Sequence, residues 1–122
     1  MKKCLLIISL VLTQQLVAQK ASPALSNSYS KTELQAFEQD VQGTINVLNY
    51  AIDHACYSVL IPEGKEVSQF PTISLNSNKD IRFTDYQLKI KDHTQYFKIE
   101  GTNELLVVKS INILRLEMQN KK

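Results

Sequence analysis

A thiol and two imidazoles are the groups in this chain best suited to chemistry: Cys56, with His54 two residues before it and His93 further on. A cysteine nucleophile needs an imidazole placed to take the thiol proton, and His93 lies in a polar stretch able to fold back toward Cys56. The setting of Cys56 argues for a plainer role. It closes an apolar, helix-periodic segment, where an unpaired cysteine packs as a small hydrophobe, and a thiolate is stabilised at the start of a helix rather than at its end. Asp53, His54 and Cys56 do not make a metal site, because adjacent helical residues diverge by about 100° and structural zinc uses ligand spacings such as C-x2-C that are absent. His54 is instead suited to complement the negative end of a helix dipole.

Paired carboxylates come next. Asp85, Asp92, Glu100 and Glu104 are scattered, with no spacing that sets two of them at the fixed separation glycoside hydrolysis requires. Lys89, Lys91 and Lys98, with Tyr96 among them, form a basic and aromatic group, a possible contact surface for an anionic glycan or a single nucleic-acid strand. Lysines on exposed strands equally discourage edge-to-edge pairing. No G-x-S-x-G, H-E-x-x-H or Gly-rich phosphate loop occurs in 122 residues with three glycines. The sequence therefore implies no cofactor and no metal.

The first residues set the expected compartment. Lys2 and Lys3 precede the apolar run 4–12, and a more polar stretch follows; this is the three-part layout of a secretory signal peptide, residues 1–18. The run is well short of the roughly 20 apolar residues of a spanning helix, so no membrane span is expected after processing and the product is expected to be periplasmic or extracellular. Leu16 and Ala18 suit cleavage before Gln19, and the Ala-Gln junction resembles that of bacterial exported proteins. Removing Lys2 and Lys3 brings the 14 Lys and Arg to 12, level with the 12 Asp and Glu. That takes away the cation surplus nucleic-acid binding depends on. Cys56 is then the one cysteine, so no internal disulfide is available.

A helix and a set of strands must position these groups. In residues 30–56, Leu34, Phe37, Val41, Ile45, Leu48, Ile52 and Ala55 recur every three or four positions, the apolar stripe of one long amphipathic helix. Ser30 and Glu33 fit a capping box at its start, and Gly43 near its middle predicts a kink or a close backbone approach. Past Cys56 the period changes to two, predicting strands at 57–61, 66–75 (with Pro71 forcing an edge or a bulge), 81–91, 95–100 and 105–108. Beyond a bulge near Ser110 the last of these resumes at 114–118. Residues 62–65, 76–79 and 101–103 read as turns and loops, 19–29 as a flexible linker, and 119–122 as a polar tail.

The expected fold class is α+β, one long N-terminal helix packed on a curved antiparallel sheet of about five strands, in a single domain over residues 30–118. That arrangement resembles the rolls of cystatin-type and nuclear-transport-factor-type proteins, as architecture alone. Residues 105–108 are apolar on both strand faces, more than one helix layer has to bury. With no catalytic motif present, the expected role is a non-catalytic binding or interaction module of the bacterial cell envelope. Its partner would be a protein, a peptide or a small apolar ligand, with a homodimer as a further option and no nucleic acid. The alternative is a small periplasmic enzyme using Cys56 and His93, or an acid pair, in a helix–sheet cavity.

Overall fold

The computed structural model describes residues 20–75 and 81–120; the expected signal peptide, the loop at 76–79 and the last two residues of the tail lie outside them. The described chain is α+β, with three α-helices and one four-stranded mixed sheet.

Helix α1 (Lys31–Glu38) begins at the expected capping box: the Ser30 hydroxyl accepts from the Glu33 N–H at 3.1 Å, and the Ser30 N–H donates to Glu33 Oε1 at 2.9 Å. The stripe does not continue as one long helix. Asp40 takes over the next turn, its carboxylate accepting from the Gln42 N–H at 2.8 Å and from the Thr44 hydroxyl, a local alternative to the helical ladder. Gly43 follows at φ +68°, the left-handed conformation that re-aims the chain, and α2 (Thr44–His54) starts afresh. Val41, expected on the buried stripe, is 99 % exposed as a result. Burial falls to α2, through Ile45, Val47, Leu48, Ala51 and Ile52.

The expected linker supplies part of the core. Pro23–Asn27 forms a 3-10 turn, and Leu25 and Tyr29 are buried with α2. Asn49 of α2 fixes the incoming backbone, accepting from the Ser22 N–H and donating to the Lys20 carbonyl, both at 2.8 Å.

Helix α2 runs directly into β1 (Cys56–Leu60), followed by β2 (Thr72–Ile73), β3 (Gln95–Ile99) and β4 (Glu104–Val108), arranged β1-β4-β3-β2. β4 pairs antiparallel with β1 and with β3, whereas β2 joins β3 in parallel, so the sheet is mixed rather than antiparallel. β2 stands at an edge, as Pro71 requires, and the Pro71 carbonyl accepts from the Lys98 N–H at 2.8 Å.

One expected strand, and the expected continuation of another, do not form. In 81–91, Phe83–Tyr86 is a 3-10 turn around the fully buried Phe83; the Leu88 N–H returns to the Phe83 carbonyl at 3.1 Å and the Ile90 N–H donates to the Tyr29 hydroxyl at 2.9 Å. Its backbone is engaged by a local turn and by the N-terminal segment instead of a ladder. Residues 114–118 belong to α3 (Ile111–Asn120), which also takes Gln119 and Asn120 from the expected tail. The alternation of Leu114, Leu116 and Met118 hid a second spacing, Ile111, Leu114 and Met118; these three pack on the core while Leu116 stays 58 % exposed.

Strand register sorts side chains between two faces. Cys56, Val108, Leu106, Phe97, Ile99 and Ile73 join the core with α2, Phe83 and Leu114. No helix among the described residues is long and apolar enough to cross a membrane.

Candidate functional site

The other face of the sheet carries the feature that packing alone does not use. Tyr57, Val107 and Tyr96 form one row across β1, β4 and β3; Val59, Leu105, Lys98 and Thr72 form the next. Val107 is only 3 % exposed, yet it stays outside the core cluster that gathers Leu106 and Val108. Its row neighbours across the strands, Tyr57 and Tyr96, are 44 % and 41 % exposed. Phe70 extends the row, its ring 5.4 Å from that of Tyr96. Toward the β3–β4 turn, residues 61–65 and Val67 of the β1–β2 connection share with Lys98 and Asn103 a depression of about 550 Å³.

At its other margin this face meets a polar network. The Lys109 ammonium lies 5.7 Å from the centre of the Tyr57 ring and donates to Glu117 Oε2 of α3 at 2.6 Å. Glu117 Oε1 accepts from the Tyr50 hydroxyl at 3.0 Å, and the Tyr50 ring stacks on His54 at 4.0 Å. Burial works to raise the Glu117 carboxyl, but hydrogen bonds from Lys109 and Tyr50 outweigh it and hold the group below the ordinary carboxylate value. Tyr50 moves the other way, pushed up by burial and by the Glu117 charge. The network is an acid already neutralised by a partner, fastening α3 to the end of β4.

The residues singled out for catalysis do not converge. Cys56 points into the core, and burial pushes its thiol up to about 12, so it stays protonated at neutral pH. Cys56 and Gln95 both pair with Val108, from opposite sides of β4, which sets those strands about 10 Å apart. His93, just before Gln95, takes the Asp92 carboxylate at 2.9 Å and stays largely exposed. Asp85 and Asp92 line separate grooves, of about 320 and 350 Å³. Glu100 accepts from the Ser74 hydroxyl at 2.6 Å, and Glu104 opens β4. Among the described residues no three His, Cys, Asp or Glu side chains are grouped to hold a metal ion.

The four residues offered as a ligand surface divide into two sets, because 81–91 is not a strand. Lys89 binds Glu33 of α1 at 3.1 Å and sits 5.5 Å from the Tyr29 ring centre, clamping the N-terminal segment; Lys91 lines the groove between α1 and α3. Tyr96 and Lys98 lie on the outer sheet face. Tyr57, Phe70, Val107 and Lys109 complete that face and were not singled out from sequence. The apolarity of 105–108 on both strand faces hinted at it, but naming the row needs the pairing of β1 and β3 with β4.

The chain matches no family model, no curated protein and no solved structure.

Proposed function

We propose that this chain is a non-catalytic, exported binding module whose outer sheet face engages a polypeptide partner. The observation that carries the reading is the Tyr57–Val107–Tyr96 row, two part-exposed tyrosines flanking a buried valine on the sheet face opposite the one that carries Leu106 and Val108. Tyrosine supplies large rigid contact area with few torsions to freeze, and its hydroxyl tolerates water when the face is empty. A small ligand is bound by enclosing most of its surface, whereas Tyr57 and Tyr96 stand 44 % and 41 % exposed along an open row. A protein or peptide laid across three strands needs no enclosure. The exported, bacterial-envelope setting rests on the N-terminal Lys2–Lys3 and apolar run. The enzyme alternative has little support, since the Cys56 thiol is half-buried against the core and held protonated, and His93 is engaged by Asp92.

Selection of random peptides on the folded chain, followed by amide chemical-shift mapping of the tightest binder, tests the reading. Shifts centred on Tyr57, Tyr96 and Lys98, with affinity falling about tenfold in a Tyr57→Ser/Tyr96→Ser double variant, are expected for paired aromatic hot spots. Peptides that bind the double variant equally well, or a selection that enriches nothing, overturn it.

A further inference from the structure

We infer that β1 is the contact edge of a symmetric dimer, pairing antiparallel with β1 of a second copy about a two-fold axis at Ser58. The backbone points there first. The Lys109 N–H donates to the Ala55 carbonyl and the Ile61 N–H to the Asn103 carbonyl, each at 2.9 Å. With the register Cys56 to Val108 through Leu60 to Glu104, these bonds place the odd-numbered residues of β1 in its bonded pairs with β4. Cys56, Ser58 and Leu60 therefore aim their N–H and C=O groups at the opposite edge, where no described strand pairs.

Among the described residues, that edge carries none of the charges, bulges or mid-strand prolines that keep sheet edges apart. Lysine, proline or a bulge blunts such strands in stable monomers, but residues 55–62 contain no charge, and their one proline, Pro62, lies past the strand end. Leu60 is 72 % exposed, Tyr57 44 % and Val59 38 %.

The segment also complements itself. About an axis at Ser58, Ser58 faces Ser58 of the second copy as a hydrogen-bonded pair. Leu60 falls beside Cys56 of the second copy on the inner face, and Tyr57 beside Val59 of the second copy on the outer face. Aromatic against β-branched is a favourable cross-strand pair, and the symmetry makes each contact twice. The nearest like charges brought together, Asp53 and Glu63 of the second copy, fall beyond the strand, and Asp53 already carries Arg82 at 3.1 Å. The dimer would carry one continuous sheet, with two outer faces side by side.

The inference rests on the proposed function only in treating the sheet as an interaction surface. The whole chain, purified as produced, is measured by light scattering at rising concentration, with Ser58→Pro and Leu60→Lys variants alongside. Ser58→Pro removes an outward N–H without touching the β4 ladder, and Leu60→Lys places a charge at the edge. A parent dimer and monomeric variants with unchanged circular dichroism are expected. Register is read separately, from Ser58→Cys on a Cys56→Ala background. A hydrogen-bonded antiparallel pair sets Cα atoms about 5.5 Å apart, within disulfide reach, so mild oxidation should link it at least about tenfold faster than a Ser68→Cys control. A parent that stays monomeric, including one whose own N-terminal stretch covers the edge, overturns the inference, as does Ser58→Cys linking no faster than the control. A monomer that still takes peptides on its outer face fails this inference alone; a dimer with an inert outer face fails the proposed function alone.

Discussion

The Lys109 ammonium, one residue beyond β4, sits 2.6 Å from the Glu117 carboxylate two turns into α3. This bond fixes where the last helix leaves the sheet, and Tyr50 of α2 completes it from the other side at 3.0 Å. Glu117→Gln should cost about 1–2 kcal/mol, the usual worth of hydrogen bonds to a charged group that is mostly shielded from water, read as a lower urea midpoint with unchanged slope.

The same network sets a pH dependence. Glu117 is held low in the folded chain, so its contribution is complete above the unfolded glutamate value of about 4.3 and is lost as pH falls through the lower, folded value. Tyr50 is held high, so its contribution is complete below about 10 and lost as pH rises through the folded value. Urea midpoints measured from pH 2 to pH 11 should decline at both ends, and Glu117→Gln should flatten the acid limb.

Leu25→Ala should cost about 2–5 kcal/mol, as for a fully buried leucine, because Leu25 is 0 % exposed. Loss of much of the cooperative transition in thermal melts is the expected result. A neutral outcome would return residues 23–27 to the role of a lead outside the fold.

Thr84→Val should stabilise the chain by about 1 kcal/mol, since a buried hydroxyl without a partner loses its hydration for no return. Thr84 is 1 % exposed, and its hydroxyl has no hydrogen-bond partner among the described residues. A higher midpoint in urea is the expected reading.

Gly43→Ala should cost about 1 kcal/mol, from the left-handed φ of +68° that alanine adopts reluctantly. A Cβ there would meet Asn46 Nδ2 at an ordinary 3.5 Å, so the penalty is conformational and not steric. Gly43→Asn, a residue more tolerant of that region, should recover part of it.

The legible parts of the fold were those in which one local signal had no rival. The Ser30–Glu33 box opened a helix, Pro71 marked an edge strand, and the switch to period two after Cys56 located β1, β3 and β4. Where two signals competed, tertiary context decided. Apolar spacing carried the helix across 39–43, but Asp40 and Gly43 had local chemistry that ended it. Leu114, Leu116 and Met118 satisfied a strand's period and Ile111, Leu114 and Met118 a helix's; the packing of Ile111 on the core and the exposure of Leu116 separate them. Residues 81–91 alternated well, but Tyr29, placed outside the domain by sequence, takes the Ile90 N–H. The outer face was hidden for a different reason: Tyr57, Tyr96 and Val107 are far apart in the chain and become neighbours only through register.

Strand β4 occupies the interior of the sheet although it is the last of the four along the chain. Until residues 104–108 are made, β1 has no strand to pair with and β3 has only the two-residue β2, so a chain ending before Glu104 lacks the centre of its sheet. Because the strand that joins them is made so late, closure spans large sequence separations and proceeds slowly.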